Sequence, residues 1–221
     1  MIHRTVTRSA AVLGAAALAA VALFGLPLLP GHADSASRAL PLPAIDVPPD
    51  AAGPHTAIFA GGCFWGVQGV FEHVKGVTQA VSGYSGGNLV NPSYEQVSSG
   101  NTGHAESVRV TFDPARVSYG KLLQIFFSVA LDPTQVNGQG PDWGTQYRSE
   151  LFVTSPAQSR VAHAYVAQLE TAHVFSHPIA TRIDPAGPFY PAEAYHQDYL
   201  TLHPDAAYIA MYDMPKLHSL Q

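Results

Sequence analysis

From residue 55 onward, apolar positions recur with two periods, and turn-forming residues separate the runs. Thr56-Ala57-Ile58-Phe59-Ala60 is a short apolar run that predicts a strand. Gly61-Gly62 turns the chain, and Phe64, Val67, Val70, Phe71 and Val74 then recur at helical spacing, so a helix starts at or just after Cys63. Residues 76–83 read as a second strand, 84–88 as a glycine-rich loop, and 91–97 as a turn that opens a short helix. Residues 105–112 alternate as a third strand, which Asp113-Pro114 stops. Ser118 caps a helix to near Val129, with Leu122, Leu123, Ile125, Phe126 and Val129 on its buried side. A long loop over 132–146 leads to a fourth strand over 147–153. Ser155 then caps a helix to near Ala172, residues 179–183 suggest a strand, and 192–202 suggest a short helix. The tail over 206–221 shows no clear pattern. Strand–helix–strand twice over is the split βαβ order. The expected class is α+β: a ferredoxin-like core, as a two-layer α/β sandwich, with a C-terminal extension.

The first 54 residues do not share this pattern. Arg4 and Arg8 precede an apolar run from Ala10 to Leu29, and Gly31-His32-Ala33 supplies small residues at a cleavage site. That is the layout of a secretory signal cut after Ala33, with an uncleaved membrane anchor as the alternative. Arg4 and Arg8 are separated, so they form no twin-arginine pair. Residues 34–54 are rich in Pro, Ala and Ser and lack periodicity, which predicts an extended linker or a disordered N-terminal arm, with folding from near His55. The expected catalytic domain is therefore 55–221, and the protein is expected outside the cytosol, periplasmic or secreted. The formal net charge is −5, and loss of Arg4 and Arg8 makes it more negative still. With no basic cluster, nucleic acid and anionic membranes are not expected partners.

Cys63 is the only cysteine in the chain. One cysteine cannot close an internal disulfide and is too few for a structural zinc site. Its place at a helix N-terminus, among unpaired N–H groups and the positive dipole end, favours the thiolate. Such settings bring cysteine pKa values to roughly 3.5–7.5. Glycines nearby leave the sulfur accessible, and Trp65 offers an apolar wall. The alternative is a small buried hydrophobe.

Two groupings could work with a reactive thiol. His104, beside Glu106, is the best candidate base for a hydrolase; the alternative is a surface or loop-anchoring histidine. Otherwise a carboxyl and phenols would serve. Buried, Glu106 would keep its proton and act as an acid, while Tyr94 and Tyr147 would donate hydrogen bonds and Asp142 lies nearby in sequence. Each of these also has an ordinary reading as a core, turn or solvent-facing residue.

Gly62-Cys63-Phe64-Trp65-Gly66 resembles the signature of the A-type peptide-methionine sulfoxide reductases. So do, in order, Gly83-Tyr84-Ser85-Gly86-Gly87, Asn91-Pro92-Ser93-Tyr94, the segment from Ser99 to Glu106, Gly144-Thr145-Gln146-Tyr147-Arg148-Ser149 and the segment from Ala192 to Gln197. The resemblance implies that Cys63 attacks the sulfur of S-methionine sulfoxide, free or in proteins, and is left as a sulfenic acid. It implies that Glu106 protonates the oxygen, that Tyr94 and Tyr147 assist, and that Asp142 organises the site. Phe64 and Trp65 would hold the S-methyl group, and Tyr195 would line the site. No metal or organic cofactor is implied; an external thiol reductant is, whether thioredoxin-like, glutaredoxin-like or a small thiol. A monomer is expected.

Two departures from the family pattern stand out. Many relatives resolve the sulfenic acid with further cysteines, whereas this chain has none and holds Ser98 where some place one. Recycling is therefore expected to be intermolecular. Trp143 stands where relatives often have histidine, which predicts altered substrate access. Besides the hydrolase, one further alternative is a non-enzymatic module binding methionine-rich segments through Phe64 and Trp65.

Overall fold

The computed structural model describes residues 40–49 and 55–220; the expected leader and the rest of the expected linker lie outside them. The elements are β1 (His55–Gly61), α1 (Phe64–Glu72), β2 (Val77–Ser85), α2 (Tyr94–Ser98), β3 (Ala105–Phe112), α3 (Tyr119–Ile125), β4 (Gly138–Gln139), β5 (Asp142–Trp143), β6 (Ser149–Val153), α4 (Pro156–Thr171), β7 (Arg182–Pro185), β8 (Phe189–Pro191), α5 (Tyr199–Leu202) and α6 (Met214–Ser219). Wider turns extend α3 over Phe126–Ala130 and precede α6 over Ile209–Asp213.

Six strands form one sheet in the order β7-β6-β1-β3-β2-β8. Every neighbouring pair is antiparallel except β6 with β7. The fold is thus mixed α/β, with α1, α3 and α4 contributing to one core. Phe59, Val108 and Leu151 from the sheet meet Val67, Phe71, Leu122, Phe126, Val161 and Tyr165 there. The period of a strand sends alternate residues to opposite faces. Ile58 and Ala60 therefore join Ala105 and Phe152 in a small second cluster.

Several local expectations shift. The 132–146 loop contains the β4–β5 ribbon, and Tyr147 lies in a tight turn over Thr145–Tyr147 rather than in the fourth strand. The strand expected at 179–183 is β7, at Arg182–Pro185. The helix expected over 192–202 is two short turns broken at Asp198, which sits at φ 55°. The tail is helical and packs against α1.

Residues 40–49 form neither helix nor strand and bend at 44–45, but they are not a free arm. Leu40 enters the core. Tyr165 donates to the Pro41 carbonyl at 2.7 Å, the Ala44 N–H donates to Gln168 at 2.8 Å, and the Gly120 N–H donates to Asp46 at 2.8 Å. Proline removes donors but leaves its carbonyl free to accept, so the segment can be tied down without pairing as a strand.

Candidate active site

Cys63 is the N-cap of α1 and makes no side-chain capping bond. Gly62 before it holds φ 89°, and a Cβ there would fall 2.5 Å from Cβ of Gln139. A glycine is therefore required for the β4–β5 ribbon to close against the turn. Gln139 in turn accepts from the Asp132 N–H and donates to the Asp132 carbonyl. The ribbon carries Asp142, and Tyr208 from the C-terminal segment donates a short hydrogen bond to the Asp142 carboxylate.

Glu106 stands on β3, on the face that carries Val108 and Val110, directly across from Tyr84. It is 2 % exposed, and its Oε2 accepts the Phe64 N–H at 3.0 Å. That N–H is one of the unpaired donors at the start of α1. Burial pushes the Glu106 carboxyl up to about 8, against the pull of the Phe64 N–H and with Asp142 adding to the rise. At neutral pH it is mostly the acid, as a carboxyl kept out of water should be.

The thiolate expectation at Cys63 is overturned. Burial, then Glu106 and Asp213, raise the thiol well above the ordinary range, while the Trp65 N–H and Lys216 pull it down less. The resting form is the thiol, although part of the residue remains open to solvent.

Tyr94 opens α2, whose N-cap Ser93 and Gln96 form a reciprocal capping box. The carboxylate of Glu193 accepts both the Tyr94 N–H at 2.9 Å and the Tyr84 hydroxyl at 2.8 Å, clipping α2 to β2. Tyr147 is held by its neighbours: Gln146 donates to the Ser98 carbonyl, Thr145 to the Gly100 carbonyl, and Arg148 to the carbonyls of Thr145 and Gly103. Burial raises both phenols, with Glu106 and Cys63 contributing in each case. Cys63 and Glu106 thus each act on the ionisation of Tyr94 and Tyr147, and Glu106 on that of Cys63. Asp142 joins them through its influence on Glu106 and Tyr147.

The aromatic wall is built around His196. Phe64 is buried with its ring 5.0 Å from His196, and Trp65 stacks on Tyr199 at 3.9 Å. Trp65 Nε1 donates to His196 Nδ1 at 3.2 Å, which puts the imidazole proton on Nε2. Burial lowers the His196 pKa, so the ring is neutral. Tyr195 is 58 % exposed beside it, at the rim, and Trp143 is 68 % exposed on the ribbon.

His104 is not available as a base. It is buried, its Nδ1 accepts the Gly87 N–H at 3.1 Å, and its Nε2 lies 2.8 Å from the Leu89 carbonyl. Both ring nitrogens anchor the glycine-rich loop.

The family described as peptide methionine sulfoxide reductase matches residues 55–221. A relative from Mesorhizobium japonicum, peptide methionine sulfoxide reductase MsrA 2, is 57% identical over 171 residues, 77% of this chain and 88% of its own. The chain belongs to the A-type peptide methionine sulfoxide reductase family. A second MsrA 2, from Synechocystis, is 50% identical over 84% of this chain and 88% of its own length. Among solved structures, reduced Mxr1 of Saccharomyces cerevisiae aligns with a TM-score of 0.66 and 34% identity, covering 71% of this chain and 90% of that one. Methionine sulfoxide reductase A of Corynebacterium diphtheriae aligns at 0.60 and 35% identity, covering 70% and 77%.

Within this reductase, sequence reasoning missed His196, Tyr199, Tyr208, Glu193 and the Asp213–Lys216 pair. His196, Tyr199 and Glu193 lie in or beside a motif segment whose spacing names no partner. Tyr208, Asp213 and Lys216 lie in the patternless tail, where the only local signal is an acid and a base three residues apart.

Proposed function

We propose that this reductase works through a Cys63 sulfenic acid, with Glu106 as the acid. The observation that carries the reading is the buried, protonated Glu106 carboxyl bonded to the first N–H after Cys63. A neutral thiol, a neutral acid and two phenols suit a neutral sulfoxide, whose oxygen accepts hydrogen bonds and whose S-methyl group needs an apolar wall. Glu106, Tyr94 and Tyr147 donate to the oxygen, and Phe64 and Trp65 enclose the methyl group. Asp142, fixed by Tyr208, shapes the site, and Tyr195 meets the rest of the substrate at the rim.

As Cys63 sulfur attacks the sulfoxide sulfur, the Glu106 proton goes to the oxygen and the thiol proton restores Glu106. The oxygen then passes from the substrate sulfur to the Cys63 sulfur: the transient sulfur–sulfur bond and the substrate's sulfur–oxygen bond break, a sulfur–oxygen bond forms on Cys63 as S–OH, and methionine leaves as the thioether. Methionine sulfoxide repair by enzymes of this type is itself a standard example of reversible oxidation chemistry. An external thiol, on a thioredoxin-like or glutaredoxin-like protein or a small molecule, then restores Cys63. The neighbouring order β6-β1-β3-β2 supports reading these four strands as a split βαβ core. The protein acts as a monomer, exported after cleavage at Ala33, on oxidised proteins outside the cytosol. N-terminal sequencing of the exported protein checks the cleavage site.

The test is single-turnover reduction of an S-methionine sulfoxide peptide without reductant, with the product at Cys63 trapped by a sulfenic-acid reagent. About one methionine per enzyme, with the adduct on Cys63, is expected. No methionine from fully reduced enzyme would overturn the reading.

A further inference from the structure

Three of the segments that carry the family resemblance meet at a buried guanidinium that the cycle above does not use. Arg148 is 6 % exposed and ends the tight turn over Thr145–Tyr147. Its Nη1 donates to the Thr145 carbonyl at 2.8 Å, inside that turn. Its Nη2 donates to the Gly103 carbonyl at 3.1 Å, just before β3, the strand that carries Glu106. The third segment is the glycine-rich loop: a Cβ on Gly86 would fall 2.8 Å from Nη2, so glycine there leaves the guanidinium its space. Nε donates to the carboxyl of Glu150 on β6, itself 1 % exposed. The other Glu150 oxygen lies 3.9 Å from the exposed Arg182, which also pairs with Asp184. Apolar side chains of similar volume usually hold a fold as well as a buried ion pair does. What they cannot do is address a carboxyl and two carbonyls from separate segments at once, as the rigid fork of a guanidinium does.

We propose that Arg148, held by Glu150, is a positioning residue for the reduction: it fixes the turn that carries Tyr147 against the approach to the strand that carries Glu106, so that phenol and acid converge on one sulfoxide oxygen. The proposal rests on the roles given to Tyr147 and Glu106 above. Tyr147 needs such a hold. It stands in a three-residue turn whose backbone bonds are local, from Tyr147 N–H to the Gly144 carbonyl and from Arg148 N–H to the Thr145 carbonyl. The side chains of Thr145 and Gln146 tie that turn to Gly100 and Ser98, on the α2 side where Tyr94 sits. Arg148 carries the tie across to the β3 side, against which the turn packs. Donors that must meet one developing charge tolerate little displacement, and an error of about 1 Å can cost roughly 10²-fold in rate. Lysine would keep the charge beside Glu150 but not the fork, so it could not hold both carbonyls in the same geometry.

The test is a double-variant cycle on the full chain: wild type, Arg148→Lys, Tyr147→Phe and the two changes together. Single-turnover methionine formation is followed over a range of S-methionine sulfoxide peptide concentrations. Arg148→Lys should lower the limiting rate about tenfold and leave the half-saturating peptide concentration within about twofold. In the Tyr147→Phe background the same change should cost less than about twofold, because the hydroxyl it positions is already gone. Equal losses in the two backgrounds, no loss in the first, or a rise in the half-saturating concentration alone would overturn the proposal and leave Arg148 a clamp of the fold. Should urea unfolding show that Arg148→Lys does not fold, Glu150→Gln goes through the same cycle, since it keeps an acceptor beside Nε and removes only its charge. A severalfold loss is expected with the Tyr147 hydroxyl present and less than about twofold without it; additive or absent losses overturn the proposal there too. Failure of the underlying reading looks different: wild type would form no methionine, or Tyr147→Phe alone would match wild type and take the proposal with it.

Discussion

At Cys63 two physical effects compete, and their sizes decide the outcome. A helix N-terminus contributes typically 0.3–1 kcal/mol to a nearby anion, up to about 2 in favourable partly buried geometry. Full burial can move a titrating group by 3–5 pKa units, and each unit is about 1.4 kcal/mol. Burial beside two carboxyls therefore outweighs the helix end, which is why a reading of the local sequence alone errs toward the thiolate. The same burial makes Glu106 costly to the fold. Its carboxyl rises from 4.5 to about 8, so between those values the unfolded chain has lost a proton that the folded chain keeps. Stability is then highest below the unfolded value and falls as pH rises toward about 8. Glu106→Gln should remove that penalty. We expect a higher Tm at pH 7.5 and a flatter dependence of Tm on pH between 5 and 8, read by calorimetry, with single-turnover methionine formation reduced by about 10²-fold or more. In wild type the single-turnover rate should decline above about pH 8, as Glu106 loses the proton it donates. A variant that loses activity without gaining stability would mean that Glu106 is not buried as the acid. At Gly66, Ala should push Asp213 and Lys216 off the helix, costing roughly 1–3 kcal/mol in urea unfolding.

At the scale of elements, legibility followed the range of the interactions. β1, α1, β2, β3, α3 and α4 announce themselves through period and caps, because each carries its own apolar stripe and stop signals. Of the catalytic candidates, Cys63 and Glu106 belong to these elements, whereas Tyr94 opens α2 and Tyr147 lies in the turn over Thr145–Tyr147; nothing in the sequence shows that the four converge. What sequence could not show was set by tertiary packing. Tyr208 and Asp213 matter only because the wide turn over Ile209–Asp213 lies on α1, and His196 only because Trp65 reaches it. Six-residue α6 is too short to carry a period. The segment over 40–49 shows the same limit, since a proline-rich stretch reads as a linker whether or not a partner surface accepts its carbonyls. We expect Leu40→Ala to destabilise by about 2 kcal/mol through lost burial. Tyr165→Phe, which frees the Pro41 carbonyl, should cost about 1 kcal/mol. Both should leave the first-turnover rate unchanged, as judged by urea midpoints beside rapid-quench assays. A matching fall in the first-turnover rate would show instead that the segment shapes the site.

For the whole molecule, one cysteine in 221 residues dictates the kinetics of repeated turnover. In the proposed cycle a sulfenic acid on Cys63 has no second cysteine in the chain to resolve it, so each turnover waits for a collision with an outside thiol. An enzyme with its own resolving cysteine would pass through an internal disulfide at a rate that no reductant concentration alters. Here the steady-state rate at saturating sulfoxide should rise in direct proportion to thiol concentration until methionine formation itself becomes limiting. The plateau should then equal the single-turnover rate. With a monothiol such as glutathione, intact-mass analysis of quenched samples should show Cys63 carrying one glutathione, and no species two protons lighter than the reduced chain. The acidic net charge adds a second expectation. A cationic dithiol should recycle the enzyme faster than an anionic one of equal pKa, and the difference should shrink as salt rises. A rate independent of thiol concentration well below the single-turnover plateau would require a resolving step inside the protein that this chain has no second thiol to perform.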